Sequence, residues 1–367
     1  MKHLTIGGST ATRTINCPAW IERSKELPKG KSGFAADKGN LLHDAMEAFY
    51  KGQSFSEMVG TLKYADQVLA EDDIDEMLNP AMYATEAVLD TYDISEMLLE
   101  PFVQYEEDRI GGSIDMIGLS YDRKTVLILD YKFGNRWVSV ETEQLPFYGL
   151  CAKTDSKTSN LFSEAEKIVF AIVQPARSSE AQTIEHPITV LDDFEKRLLD
   201  ALDNPKRSST GKHCEYCPAA PACPDKIAKA KSALLMEPKT AHVLADSLEL
   251  AEEVEAWAKQ VKQQAYDIAM EGGVIPRFKL VAGRSSRKWN KTAESVLSDK
   301  LGDQAFERKL LGITKIEKLL GKGEIEALGI ADKAEGKPTL VPQDAPGDMI
   351  TITESENLLK LVDKKIL

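Results

Sequence analysis

Between residues 37 and 51 the apolar positions Leu41, Leu42, Ala45, Met46 and Phe49 recur three and four apart. That period lines one stripe of a helix and predicts a helix from Asp37 to Lys51. Residues 9–25 read as an earlier helix with Ser9 or Thr10 as its N-cap, followed by a loop at "LPKGKSG". Residues 54–98 read as largely helical, with the acidic run "EDDIDE" at 71–76 as a solvated face. At Pro101 the pattern changes. "PFVQYEE", "RIGGSIDMIGLS" and "TVLILDYKF" read as three successive strands, the last two joined by a turn at "YDRK". A helix from Glu141 to Lys153, a strand "EKIVFAIVQP", a strand at 182–187 and a helix from Leu191 to Leu202 complete the front of the chain.

Behind it the composition shifts to Ala, Glu, Lys and Gln, and residues 240–271 read as one long helix stopped by Gly272 and Gly273. "IPRFKLVAG" reads as a short strand, 291–330 as short helices, and "KAEGKPTLVPQDAPGD" as a Pro/Gly-rich linker before a terminal helix. The expected fold class is α/β. The expected domains are a core over 1–230, a mainly helical domain over 231–335, and a linker with a terminal helix over 336–367.

Composition narrows the setting. The chain has 367 residues, 43% of them apolar, enough for one large or two moderate cores. No run approaches the ~20 apolar residues that span a bilayer, and the first residues lack the apolar block of a secretory signal. Five unevenly spaced cysteines are too few for a disulfide scaffold. A protein of the reducing cytoplasm, without a membrane partner, is expected. The net charge of −13 argues against wholesale coating of nucleic acid but leaves room for a local basic groove.

Candidate chemistry concentrates in residues 111–150. Asp130 and Lys132 are two apart at the end of an apolar strand, so they share a face, and a hairpin brings Asp115 beside Asp130. Paired carboxylates suit Mg²⁺ or Mn²⁺, and a neighbouring lysine can orient a water for attack on a phosphodiester. The plainer reading is strand-end polar residues and a solvated lysine. Gln144 and Tyr148, four apart on the next helix, share a face, as do His43 and Glu47 on the early one. Surface packing and a core histidine are the ordinary accounts of those pairs.

Taken in order, "GNLLH" ending in His43, "GSID" ending in Asp115, "DYK" at 130–132 and "QLPFY" from Gln144 to Tyr148 resemble the RecB-like branch of the PD-(D/E)XK nucleases. The resemblance covers roughly residues 9 to 225. It implies a restriction-endonuclease-like core, a mixed central sheet flanked by helices. It also implies a metal held by His43, Asp115, Asp130 and the Tyr131 carbonyl. Lys132 would position the water and steady charge on the phosphate. Gln144 and Tyr148 would hold the DNA near the scissile bond, and Glu47 would support the site from behind.

Cys214, Cys217 and Cys223, flanked by prolines in "CEYCPAAPAC", form a metal-ligand pattern. Members of that branch, including AddB-type nuclease domains, close the domain with an iron–sulfur cluster on such a trio plus one upstream cysteine. The resemblance therefore assigns Cys17 as the fourth ligand of a 4Fe–4S cluster. Structural Zn²⁺ is the rival, with His213 able to replace one thiolate. Cys151 reads as an ordinary buried thiol.

The basic segment holding Arg277, Lys279, Arg284, Arg287, Lys288 and Trp289 offers phosphate contacts and a stacking ring, or a solvated loop balancing an acidic chain. The layout resembles phage- or prophage-encoded nucleases. It implies an Mg²⁺- or Mn²⁺-dependent exonuclease in phage DNA replication or recombination, in a bacterial host cytoplasm. DNA is the expected partner, with a single-strand-binding or annealing protein beside it. The alternative is a non-catalytic DNA-binding or scaffolding protein on the same fold.

Overall fold

The computed structural model describes residues 4–27, 33–236 and 240–281, together with Ser298, Ile316 and Leu328. The chain divides into two compact units, residues 1–238 with 242–273, and residues 239–241 with 274–367. The long helix thus belongs with the unit that the expected boundary at 230 would have ended.

In the first unit a 3₁₀ turn at Gly8–Thr10 leads into α1 (Ala11–Asn16). Pro18 follows the C-cap Cys17, and the helix resumes as α2 (Trp20–Ser24), so the expected helix over 9–25 is broken where its cysteine lies. α3 (Phe34–Tyr50) buries Leu41, Leu42, Ala45 and Met46, as its spacing requires. Residues 54–98 are only partly helical. They hold α4 (Phe55–Met58), a two-residue hairpin of β1 (Lys63–Tyr64) and β2 (Gln67–Val68), then α5 (Glu71–Asp73), a π-helical turn (Ile74–Leu78) and α6 (Asn79–Thr91). The segment ends in a strand, β3 (Ile94–Leu99).

Next come β4 (Phe102–Glu106), β5 (Ile110–Ser113), β6 (Met116–Ser120) and β7 (Thr125–Tyr131). α7 (Gln144–Thr154) connects β7 to β8 (Lys167–Val173), and β9 (Gln182–Pro187), α8 (Val190–Asp203), α9 (Pro224–Ala233) and α10 (Ala241–Met270) follow. The main sheet runs β3-β6-β7-β8-β9. β7 and β8 are parallel and the other neighbours antiparallel, so the sheet is mixed.

Both faces are covered, and the strand period sorts the side chains. Val126 and Ile128 of β7 join Phe147 of α7 and Phe194 of α8 in one cluster. Leu127, Leu129 and Tyr131 join Leu41 and Met46 of α3 and Val88 of α6 in the other. Each such buried side chain contributes about 1.5–3 kcal/mol, so a seven-residue strand buried throughout fixes whatever projects from its end. The protein is mixed α/β, a central mixed sheet flanked by helices.

In the second unit, Phe278 N–H donates to the Ile275 carbonyl (3.0 Å) and Arg277 adopts φ +71°. A turn therefore occupies 275–278, and no strand forms over 275–281, against the expectation for "IPRFKLVAG". Arg284, Arg287, Lys288 and Trp289 lie outside the described residues, as do the expected linker and terminal helix; of the short helices expected over 291–330, Ser298, Ile316 and Leu328 alone are described, each in helical conformation.

Candidate functional site

β3 and β6 pair in the main sheet up to Leu99 opposite Met116, while β4 and β5 pair in a separate ribbon from Phe102 opposite Ser113. Between them the two chains turn a corner side by side. Glu100 N–H donates to the Asp115 carbonyl (3.1 Å) and Ile114 N–H to the Pro101 carbonyl (3.2 Å). Glu100 takes φ +49° there. A residue before proline is driven out of the right-handed helical region, and a left-handed φ is uncommon without glycine. The corner is therefore shaped by "EP" on one strand and "ID" on the other, and each contributes a carboxylate.

Asp115 is buried, and one of its oxygens accepts the Tyr131 N–H (2.6 Å) while the other lies 3.1 Å from His43 Nδ1. His43 comes from α3 and is wedged edge-on against Phe133, ring centroids 5.2 Å apart. One strand over, Asp130 is 4% exposed. Its Oδ1 accepts from Gln144 Nε2 (2.8 Å), and Lys132 Nζ forms an ion pair with Oδ2 at 2.5 Å. No donor is aligned on Oδ2 in a hydrogen bond. Gln144 Nε2 also reaches the Tyr148 hydroxyl (3.4 Å). Tyr148 is buried, its ring in a slot floored by Gly8, where an added Cβ would sit 2.4 Å from the ring.

His43 with Asp115, and Lys132, Gln144 and Tyr148 around Asp130, thus form two groups that meet at the end of β7, where Asp115 accepts the Tyr131 N–H. Gln144 donates inward to Asp130, and the Tyr148 hydroxyl accepts from Gln144. Glu47, by contrast, is engaged by Lys51 on the same helix (2.5 Å).

The electrostatics are those of charges forced together away from water. Burial opposes ionisation of Asp115, but the charge and hydrogen bond of His43 and the Tyr131 N–H outweigh it and hold the carboxyl below its usual range. Burial likewise opposes the charged imidazole, yet Asp115 holds His43 above its usual range. For Asp130 burial wins: with Asp115's charge added and Lys132 opposing, its carboxyl is pushed up. Glu100 is pushed up to about 8 by burial first and by the Asp115 charge second.

Glu100 is the residue that reading the sequence missed. His43, Glu100 and Asp115 bring one ligand atom each to within 4.8 Å of one another, the spacing of a group able to hold a cation. Its signal was the acidic residue of "LEPF" at a proline corner. The reading of 54–98 as helix hid the strand that ends there.

The cysteines line a second, small pocket. Cys17, Cys214, Cys217 and Cys223 all face it. Hydrogen bonds spanning some two hundred residues stitch it shut: Ala19 N–H to the Arg207 carbonyl (3.1 Å), Arg207 Nη2 to the Ile15 carbonyl (2.9 Å) and Arg13 Nη2 to the Tyr216 carbonyl (2.6 Å). Arg13, Arg23 and Lys226 also line it, Arg23 reaching Cys223 Sγ at 3.4 Å. His213 Nε2 lies 3.1 Å from the Ser209 carbonyl. From α10, Trp257 donates to the Pro221 carbonyl (3.1 Å) and Gln260 to the Cys214 carbonyl (2.9 Å). Burial raises the Cys217 thiol, with Arg13 opposing. At Cys214 the His213 and Gly211 hydrogen bonds prevail over burial and lower the thiol. Cys151 sits elsewhere, fully buried on α7, with its thiol pushed up by burial.

No helix among the described residues is long and apolar enough to cross a membrane. No curated protein matches the chain. Among solved structures, the crystal structure of SSO0001 is similar at 16% identity and a TM-score of 0.21, over 56% of this chain and 95% of that one. Residues 3–347 match the DUF2800 family, described as proteins of unknown function, and the chain belongs to that family.

Proposed function

We propose that the protein is a metal-dependent deoxyribonuclease of the PD-(D/E)XK type, acting on DNA as an exonuclease. The observation that carries this reading is the pair of buried carboxylates at the end of the apolar strand β7, Asp115 paired with His43 and Asp130 with Lys132. Two carboxylates buried together repel each other and raise each other's proton affinity, a cost a divalent cation removes. The donor set fits such an ion: two buried carboxylates and an imidazole.

His43, Asp115, Asp130 and the Tyr131 carbonyl would hold Mg²⁺ or Mn²⁺. When bound, the cation supplies positive charge to the phosphate and acidifies water. Lys132, fixed by its own N–H on the Val173 carbonyl (2.9 Å), orients the attacking water and donates to a phosphate oxygen. Hydrolysis joins the water oxygen to phosphorus and releases the sugar oxygen, which takes up a proton. Gln144 holds Asp130 in place, the Tyr148 hydroxyl accepts from Gln144, and in this reading both would hold the DNA strand near the scissile bond.

The cysteine pocket carries a 4Fe–4S cluster in this reading, on Cys17, Cys214, Cys217 and Cys223. Four thiolates around one metal centre leave net negative charge, and Arg13, Arg23 and Lys226 at the pocket wall offset it. Zn²⁺ would satisfy the same donors. An absorbance spectrum of anaerobically purified protein separates them: a broad band near ~400 nm for iron–sulfur, none for zinc.

The decisive experiment is digestion of end-labelled linear and closed circular DNA with Mn²⁺ or Mg²⁺. Wild type should degrade linear DNA and Asp130→Ala should not. Inactive wild type with both ions, or equal digestion by the variant, would remove the nuclease reading and favour a DNA-binding or scaffolding role.

A further inference from the structure

We propose that Glu100 is a direct ligand of the cation at this site, and that the resulting His43–Glu100–Asp115 set makes it select Mn²⁺ over Mg²⁺. The inference rests on the metal-site reading above and adds a residue that reading does not contain.

Position is the first support. Glu100 stands at the corner where the paired strands leave the main sheet, its N–H on the Asp115 carbonyl at 3.1 Å. Its backbone is locked to the residue whose carboxylate faces His43 at 3.1 Å. The three ligand atoms come from α3, from the β3–β4 corner and from the β5–β6 corner, and all lie within 4.8 Å of one another. An ion near their centre needs only a small inward shift of each to reach the ~2.0–2.2 Å of an oxygen or nitrogen ligand.

Backbone is the second. Glu100 holds φ +49°, and other non-glycine residues at turns, such as Asp93, Asp108 and Arg123, also take positive φ. Glu100, half-buried like Arg123, differs from those three in bringing a carboxylate oxygen within 4.8 Å of the buried Asp115 carboxylate and of His43. Strain of this kind persists where surrounding structure fixes it, and it collects at binding sites.

Selectivity follows from the ligand chemistry. Mg²⁺ prefers to keep several waters and takes one or two carboxylates. A set with an imidazole and two or more carboxylates strips more of that shell and offers a nitrogen, which later first-row ions bind better. Mn²⁺ accepts both.

The test is Mn²⁺ binding followed by electron paramagnetic resonance of the free ion, on the full chain. Wild type should bind Mn²⁺, with Mg²⁺ displacing it only in large excess. Glu100→Gln, which keeps the shape, should weaken Mn²⁺ at least about tenfold, and Asp115→Asn should abolish binding. Mn²⁺ should also shield Glu100 of the wild-type protein from carbodiimide modification, a readout that does not depend on the variant's folding. Glu100→Gln binding Mn²⁺ within twofold of wild type, or no shielding of Glu100, overturns the assignment while Asp115→Asn still loses the ion. Equal binding by Asp115→Asn, Asp130→Asn and wild type would instead bring down the underlying metal site. Equimolar competition by Mg²⁺ would refute the selectivity.

Discussion

The carboxylate site and the cysteine pocket lie in one compact unit yet are built by opposite means. The first is set by regular structure: Asp130 and Lys132 extend a strand buried along its whole length, and Asp115 extends its neighbour. Its charges are held close by the fold and strain against it, since burial and mutual repulsion push Asp130 and Glu100 upward. The second is set by loops and short turns, with side chain-to-backbone bonds from Arg13 and Arg207 reaching across the chain. There a bound metal, on the proposed reading, would add to that closure. A site imposed by a core should lose function without losing stability when a ligand is removed; a site that closes its own loop should lose both.

The largest effect expected is on activity at the first site. Asp130→Ala and Lys132→Ala should each reduce Mn²⁺-dependent degradation of linear DNA by at least about a hundredfold; the melting temperature should stay level or rise in Asp130→Ala, where a carboxylate that burial disfavours is gone, and fall in Lys132→Ala, which leaves that carboxyl buried without its ion pair. Next is Cys217→Ala. Loss of a metal-closed loop of almost two hundred residues costs entropy, and a few kcal/mol at about 2–4 °C per kcal/mol amounts to a fall of about 10 °C, with loss of absorbance near ~400 nm. Equal melting temperatures for the Asp130 and Cys217 variants would erase the contrast. Smaller again is Gly8→Ala. The added methyl meets the Tyr148 ring at 2.4 Å, an overpacking cost of about 1–3 kcal/mol. Tyr148 and Gln144 should shift and activity fall by about tenfold, measurable as kcat; an unchanged kcat would mean that the slot does not position them.

Much of the first site was legible because strand periodicity is local. "TVLILDYK" states its own face alternation, and the helical spacing of Gln144 to Tyr148 states theirs. What was not legible depends on long-range pairing. β3 carries half-buried and exposed positions with no clean alternation, so it read as helix, and Glu100 at its end had no visible partner until β6 lay beside it. Likewise the break at Cys17 follows from Pro18, but that Arg207 and Ser209 receive the broken end does not follow from spacing. Which metal the cysteines would hold is silent in the sequence because iron–sulfur clusters and zinc use the same thiolates.

The pH response sharpens the comparison from the other side. Glu100 holds its proton up to about 8 in the metal-free fold, against 4.5 for the unfolded chain. A carboxyl raised on folding stabilises at low pH, so this contribution declines as pH rises from about 4.5 through 8. Asp115, lowered on folding, works in the opposite sense and loses its contribution as pH falls below its ordinary value near 3.8. Cation binding needs Glu100 ionised and His43 neutral, so Mn²⁺ affinity should rise steadily between pH 6 and 8 with release of protons. Glu100→Gln should flatten that rise, and a flat wild-type profile would separate Glu100 and His43 from the ion.

The smallest effect is expected where the two regions touch. Arg136, in the loop that follows Lys132, pairs with Glu215 and donates to the Tyr216 hydroxyl (2.8 Å), both between Cys214 and Cys217. It is a direct side-chain link from the loop after β7 to the cysteine loop. The pair is solvent-exposed, and exposed ion pairs contribute about 0–1 kcal/mol. Gln174 independently holds the same loop through the Gly134 carbonyl (2.8 Å) and through Val138 N–H (3.1 Å). Arg136→Ala should therefore move the melting temperature by no more than about 2–4 °C and leave DNA degradation within about twofold of wild type. Activity falling as far as in Lys132→Ala, with the cysteine absorbance intact, would mean that the cysteine loop holds the catalytic lysine through this contact, and the division into a core-imposed site and a self-closing one would fail at Arg136.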